Sequence, residues 1–252
     1  MNILFYYVLY PLIRPFYLIA LIVNTLILAL LIIAISPLDR GGKCVHYIGR
    51  FWSLMNVYLS GTRMSIRGKE KIEKGRSYII MSNHQSLFDV WILIARLPLQ
   101  LRWIIKSDIK KIPVFGLALE RMGHIYVDRK RYKDAFSGLD AAFEKIKRGM
   151  SVVVFPEGTR SRDGRLQKFH KGGALIALRS GIPILPVTVN GSRFVLPKGT
   201  LDLMPGKIEI VVGDLIDTSA FDVKKKDELI SVVKSAIEKN LDLNYGALTS
   251  KR

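Results

Sequence analysis

The stretch Asn83-His84-Gln85-Ser86-Leu87-Phe88-Asp89 sets a histidine and a carboxylate five positions apart where an apolar run, Tyr78 to Met81, gives way to a helical one beginning at Val90. An aspartate in the first helical turn can accept a hydrogen bond from one ring nitrogen, fixing the tautomer and leaving the other nitrogen as a base. A structural role is equally open, because Ser86-Leu87-Phe88-Asp89 also fits the Ser-x-x-Asp capping pattern. A second charged stretch, Phe155-Pro156-Glu157-Gly158-Thr159-Arg160-Ser161-Arg162, leaves another apolar strand. Strand ends are where α/β folds place ligands, and its two arginines could hold an anion. Lys168, His170 and Lys171 precede Gly172-Gly173 and a helix start, an arrangement suited to a phosphate. A third strand end, Tyr126-Val127, runs into Asp128-Arg129-Lys130-Arg131. One basic cluster is ordinarily a solvated face. Three strand ends that each deliver His, Arg or Lys ask for a common purpose.

The elements that must position these residues can be read from apolar periodicity. Edge strand Met64 to Ile66, central strand Tyr78 to Met81, and strands at Leu101–Ile105, Gly123–Val127, Val152–Phe155, Ile184–Val189 and Lys207–Val212 alternate with helices. Those helices follow Ser86, start at Pro113, and run over Tyr132–Arg148, Gly173–Arg179 and Asp227–Leu241. Strands that are apolar throughout and alternate with helices imply an α/β fold, a largely parallel central sheet flanked by helices. No repeat or low-complexity tract interrupts it.

Ahead of this unit, Phe16 to Ile35 carries no charge, and Asn24 and Thr25 are its clearly polar members. Twenty helical residues reach about 30 Å, enough to cross a hydrocarbon core. A signal peptide fits less well, since the charged flank is thin and no small-residue cleavage site follows. Ser36-Pro37 ends the run, and Cys44 to Leu59 mixes His46 and Arg50 with Tyr47, Phe51, Trp52 and Tyr58, the composition of an interfacial helix. The expected division is therefore 1–61, membrane-anchoring helices, and 62–252, an α/β catalytic domain. The spanning and single-leaflet arrangements of the anchor both stay open on hydropathy.

Lys and Arg number 39 against 21 Asp and Glu, a net charge of +18, so an anionic partner is expected. With 49% hydrophobic residues and a mean hydropathy of +0.22, the balance favours a lipid surface over nucleic acid, as does the scarcity of aromatic-basic interleaving. The single cysteine, Cys44, excludes internal disulfides and cysteine-rich metal sites. Its apolar neighbourhood suggests a small buried hydrophobe.

Taken with Ile182-Pro183-Ile184-Leu185-Pro186-Val187, the three strand-end blocks resemble the glycerolipid acyltransferases, in particular the 1-acyl-glycerol-3-phosphate acyltransferases that make phosphatidic acid. The resemblance covers roughly Lys69 to Val212 and includes Lys106-Ser107-Asp108 through Pro113-Val114-Phe115-Gly116. It implies His84 as general base and Asp89 as its orienting partner. Arg129 and Arg160 would hold the acceptor's phosphate, and Glu157 would order the acceptor site with Gly158 and Thr159 beside it. Lys106, Lys168 and Lys171 complete the expected substrate contacts, and the Ile-Pro block would help form the acyl-donor side. One departure is His170, where a lysine would be expected. Also implied are acyl-CoA or acyl-acyl carrier protein as co-substrate, no other cofactor and no metal. Membrane lipids are the implied partners, with no nucleic acid, at a bacterial inner membrane with the site facing the cytoplasm. Members of the family whose helix pair sits in one leaflet favour the monotopic anchor. A direct transfer agrees with the absence of a Gly-x-Ser-x-Gly elbow, and amides at the helix start after Ser86 are candidate oxyanion donors. Other lysolipids or glycerol-3-phosphate as acceptor, a lipid hydrolase using the same pair on water, and a non-catalytic anion binder are the alternatives.

Overall fold

The computed structural model describes residues 10–127 and 132–247. Its order is α1 (Tyr10–Ile35), α2 (Lys43–Leu59), β1 (Arg63–Arg67), β2 (Ile79–Ser82), α3 (Phe88–Arg96), β3 (Leu101–Lys106), α4 (Phe115–Arg121), β4 (Ile125–Val127), α5 (Tyr132–Lys147), β5 (Ser151–Val154), α6 (Gly172–Ser180), β6 (Ile184–Asn190), α7 (Ser192–Val195), β7 (Lys207–Val212) and α8 (Lys226–Glu238). Among the described residues one seven-stranded sheet forms, in the order β1-β7-β6-β2-β5-β3-β4. Five strands, β6 to β4, are parallel. β7 runs antiparallel to β6 and parallel to β1, so the last two strands point the other way. The mixed α/β architecture with a mostly parallel sheet agrees with the expectation from the sequence.

Alternation across the sheet builds two cores. Tyr78 and Ile80 face one layer and Ile79 and Met81 the other, and Val153 and Val152 divide in the same way. On the first face lie residues of α1, α2, α3 and α4, among them Ile32, Val57, Ile92 and Ala118. Opposite them are Ala142 and Ile146 of α5, Ala174 and Ile176 of α6, and Leu229, Val233 and Ile237 of α8. The helix pair ahead of residue 62 thus shares a core with the strands, through Val45 and Val57 above all.

α1 and α2 form a hairpin whose polar contacts use the few polar side chains of α1. Asn24 Nδ2 donates to Asn56 Oδ1 (2.8 Å), Thr25 Oγ1 accepts from Trp52 Nε1 (2.9 Å), and Tyr17 Oη donates to the Asn56 carbonyl (3.2 Å). The outer face of α1 stays bare, with Phe16, Ile19, Ile22, Ile27 and Leu30 exposed. α1 is long and apolar enough to cross a membrane by length and composition. Two details of α2 depart from the sequence reading. Cys44 is exposed rather than buried, because the first turn of α2 presents Val45 and His46 inward and Cys44 outward. His46 is 3% exposed, so it marks the inner face of α2 and not an interfacial depth, whereas Tyr47, Phe51 and Tyr58 do face outward.

Candidate active site

The carboxyl ends of the parallel strands meet at one edge of the sheet, and there β2 hands the chain to His84. Asn83 carries the sheet one step beyond β2: its amide nitrogen donates to the Val189 carbonyl (2.9 Å) and its oxygen accepts from the Val189 amide (2.7 Å). The side chain thereby does the work of a ladder residue while the backbone turns away. His84 follows, with Nδ1 2.8 Å from Asp89 Oδ2. Its side chain is 15% exposed, that of Asp89 is fully buried, and the ring stacks on Phe155 at 4.0 Å between centroids and 10° between planes. A buried carboxylate accepting from Nδ1–H leaves Nε2 as the basic nitrogen.

The two sequence readings of Asp89 are both realised on one oxygen. Oδ2 also accepts from the amides of Gln85 (2.6 Å) and Ser86 (2.9 Å), and Ser86 Oγ accepts from the Phe88 amide (3.2 Å). Asp89 is at once the orienting partner of the histidine and the cap of the turn that carries it. Of the amides in this turn, those of Gln85, Ser86 and Phe88 are already engaged. Ser86 is no nucleophile, since it is buried and its hydroxyl donates to the Leu196 carbonyl (2.7 Å).

The loop after β5 grips the His84 peptide from both sides. Glu157 Oε1 accepts from the His84 amide (2.8 Å), and the Ser161 amide donates to the His84 carbonyl (2.7 Å). Glu157 Oε2 accepts from Gln167 (3.0 Å), which closes the loop on itself. Burial pushes the Glu157 carboxyl above the ordinary range, partly offset by the two amides it accepts from. Gly158 sits at φ 71°, a left-handed conformation that favours glycine, and this sets the sharp turn before Thr159 and Arg160. Thr159 is exposed and Arg160 half-buried.

Two basic residues that the sequence did not single out hold this loop. Lys198 Nζ donates to the Arg160 carbonyl (2.5 Å) and to Thr159 Oγ1 (3.1 Å). Arg193 donates to the carbonyls of Asp163 (2.5 Å) and Leu243 (2.6 Å). Lys198 had a local signal, a lysine in the Pro197-Lys198-Gly199 turn downstream of a strand. Arg193 had none, since its partners lie 30 and 50 positions away.

The remaining expected residues divide. Lys106, at the end of β3, reaches the same sheet edge and pairs with Asp108. Lys168 is exposed on the loop before α6. Lys171 is turned to α8, where its Nζ lies 2.8 Å from an oxygen of Asp227. Arg129 lies outside the described residues. The edge thus brings together a histidine–carboxylate pair and a loop bearing Arg160 that Lys198 holds, with Lys106 at the end of the strand next to β5. Such a site can take a proton from a nucleophile next to a bound anion.

The acyltransferase family model matches residues 63–190 of this chain. The chain is 31% identical over 203 residues to the chloroplastic 1-acyl-sn-glycerol-3-phosphate acyltransferase of Arabidopsis thaliana, covering 80% of this chain and 55% of that one. It is 31% identical over 188 residues to the 1-acyl-sn-glycerol-3-phosphate acyltransferase of Borreliella burgdorferi, covering 75% of each. The crystal structure of the 1-acyl-sn-glycerophosphate (LPA) acyltransferase from Thermotoga maritima superposes with a TM-score of 0.77 at 27% identity, over 91% of this chain and 95% of that one. The chain spans just over half the length of the chloroplast relative and three quarters of the spirochaete one.

Proposed function

Since this chain belongs to the acyltransferase family, we propose that it moves an acyl group from a thioester to the free sn-2 hydroxyl of 1-acyl-glycerol-3-phosphate, giving phosphatidic acid. One observation carries the reading: a histidine whose Nδ1 is tied to a buried aspartate, and whose backbone is tied to the loop bearing Arg160. Nε2 of His84 takes the hydroxyl proton as the oxygen attacks the thioester carbonyl. The thiolate leaves without a metal and without an acyl-enzyme. Arg160 and Lys106 hold the acceptor's phosphate, and Lys198 fixes the loop without itself touching substrate. The donor is an acyl chain carried on coenzyme A or on acyl carrier protein.

Both lipid substrate and lipid product suit a membrane site, and the bare apolar face of α1 supports attachment through the helix pair. We read the attachment as monotopic, at the cytoplasmic face of a bacterial inner membrane. The test is a panel of acceptors, lysophosphatidic acid, other lysolipids, glycerol-3-phosphate and water, against both donors. Turnover of the thioester without any lysolipid would instead indicate a hydrolase, and preference for glycerol-3-phosphate would move the acceptor assignment.

A further inference from the structure

Alternation along β5 sends Val153 into the first core and Val152 into the second, and Phe155, one step past the strand, continues on the side of Val153. Its half-buried ring emerges at the carboxyl end of the strand. The imidazole of His84 lies on that ring, 4.0 Å between centroids and 10° between planes. Among the described residues the other histidines that meet an aromatic ring do so at steep angles, His46 against Tyr47 at 61° and His124 against Trp103 at 86°. The parallel contact is therefore particular to the site. The backbone that carries the Phe155 ring is pinned too, since its carbonyl accepts from the Gly158 amide (3.0 Å).

Asp89 alone leaves the imidazole plane unset. Glu157 holds the His84 amide (2.8 Å) and the Ser161 amide holds the His84 carbonyl (2.7 Å), which places Cβ, while the bond to Asp89 (2.8 Å) places Nδ1. Two fixed points still let the ring turn about the line between them, and the χ2 well of a histidine is broad. That turn swings Nε2 through an arc, and misplacing a catalytic group by about 1 Å costs on the order of 100-fold in rate. A flat apolar surface under the ring stops the turn. It does so without offering Nε2 a polar partner that would compete with the acceptor hydroxyl.

We infer that Phe155 is a positioning residue: by stacking on His84 it sets the imidazole plane in which Nε2 meets the acceptor hydroxyl. This role rests on the acyl-transfer reading above. It gives the end of β5 control of the base twice over, of the ring through Phe155 and of the peptide through Glu157. The test compares the full-length wild type with Phe155→Leu and Phe155→Tyr in detergent micelles. Kinetics are measured on whichever acceptor of the panel is turned over, and the histidine ring protons are followed by NMR. Protons held over an aromatic face resonate upfield, so those of His84 are expected upfield of those of the exposed His170. In Phe155→Leu that displacement is expected to vanish and kcat to fall roughly 10- to 100-fold, with both KM values unchanged. His46 and His124 signals are expected to stay in place, which separates lost alignment from unfolding. Phe155→Tyr keeps a ring and is expected to restore the displacement and most of kcat. A wild-type His84 without the upfield displacement would overturn the assignment of Phe155. So would a Phe155→Leu enzyme that keeps its kcat or loses only KM, or a Phe155→Tyr enzyme as slow as Phe155→Leu. A wild type inactive toward every acceptor would overturn the functional reading, and this role with it.

Discussion

Asp89 concentrates three donors on one buried oxygen, so substitutions there act on both chemistry and structure. Asp89→Ala leaves the Gln85 and Ser86 amides buried without acceptors, at about 1–3 kcal/mol each, and the melting temperature is expected to drop along with activity. Asp89→Asn keeps an accepting oxygen and costs less of both. His84→Ala leaves no amide without an acceptor; turnover is expected to fall roughly 100- to 10,000-fold with circular dichroism and melting little changed. Near-wild-type turnover by that variant would remove His84 as the base. A second residue-scale expectation concerns pH. Burial, then Arg102 and Arg50, lower His46 from 6.5 to about 4, so the native state keeps it neutral while the unfolded chain protonates. Stability is therefore full above 6.5 and is lost as pH falls toward 4, by about 3 kcal/mol from this group. His46→Gln should flatten the dependence of the unfolding free energy between pH 7 and 5. An unchanged slope would mean His46 is solvated.

The loop after β5 has its shape imposed at several points: by Gly158 within it, by Lys198 on its carbonyl side, and by its grip on the His84 peptide. Arg160→Ala removes a charge-assisted contact worth about 1.5–3 kcal/mol and is expected to raise the acceptor KM roughly tenfold or more while sparing the donor KM. Lys198→Ala is expected to give the same split more weakly, because Lys198 acts through the loop. Equal effects on both substrates would mean that the loop shapes the site without binding the acceptor. The elements were legible in the sequence because the central strands β2, β5 and β6 are largely apolar runs, and helices such as α5 and α8 carry a 3.6-residue period. So too were His84 and Asp89, since their pairing is local. Arg193 was not, and Lys198 was visible only as a lysine in a turn, because each meets its partners 30 to 50 positions away and only the sheet edge brings them together. Lys171 shows the reverse case: a lysine well placed in sequence for a phosphate is drawn to Asp227 by the packing of α6 near α8. His46 misled through composition, since a lone imidazole in an amphipathic helix reads the same whether it faces lipid or a buried arginine.

The helix pair forms one wall of the first core, and so anchorage and folding are joined. Removing residues 1–60 would uncover the inner faces of α3 and α4, and the product is expected to aggregate rather than to be released as a working soluble enzyme. Glutamates at Phe16, Ile19 and Ile27, all exposed, are the cleaner test, with movement from the membrane pellet to the supernatant expected and the melting transition retained. A pellet unchanged by all three would dissociate α1 from membrane attachment. Arg14 pairs with Asp202 across 2.5 Å, which ties the start of α1 to the segment that follows Lys198. The strand order carries a further consequence, for the time the molecule takes to be made. Among the described residues β1 has no neighbour other than β7, which is translated about 140 residues later, so at roughly 5–20 residues per second β1 waits some 7–30 s for its partner. Throughout that interval the apolar hairpin is already complete and the wall it must cover is not. Under the proposed membrane attachment, the nascent chain is then safest with α1 already lodged in lipid, and the bilayer would act as a holding surface for synthesis as well as the proposed place of work.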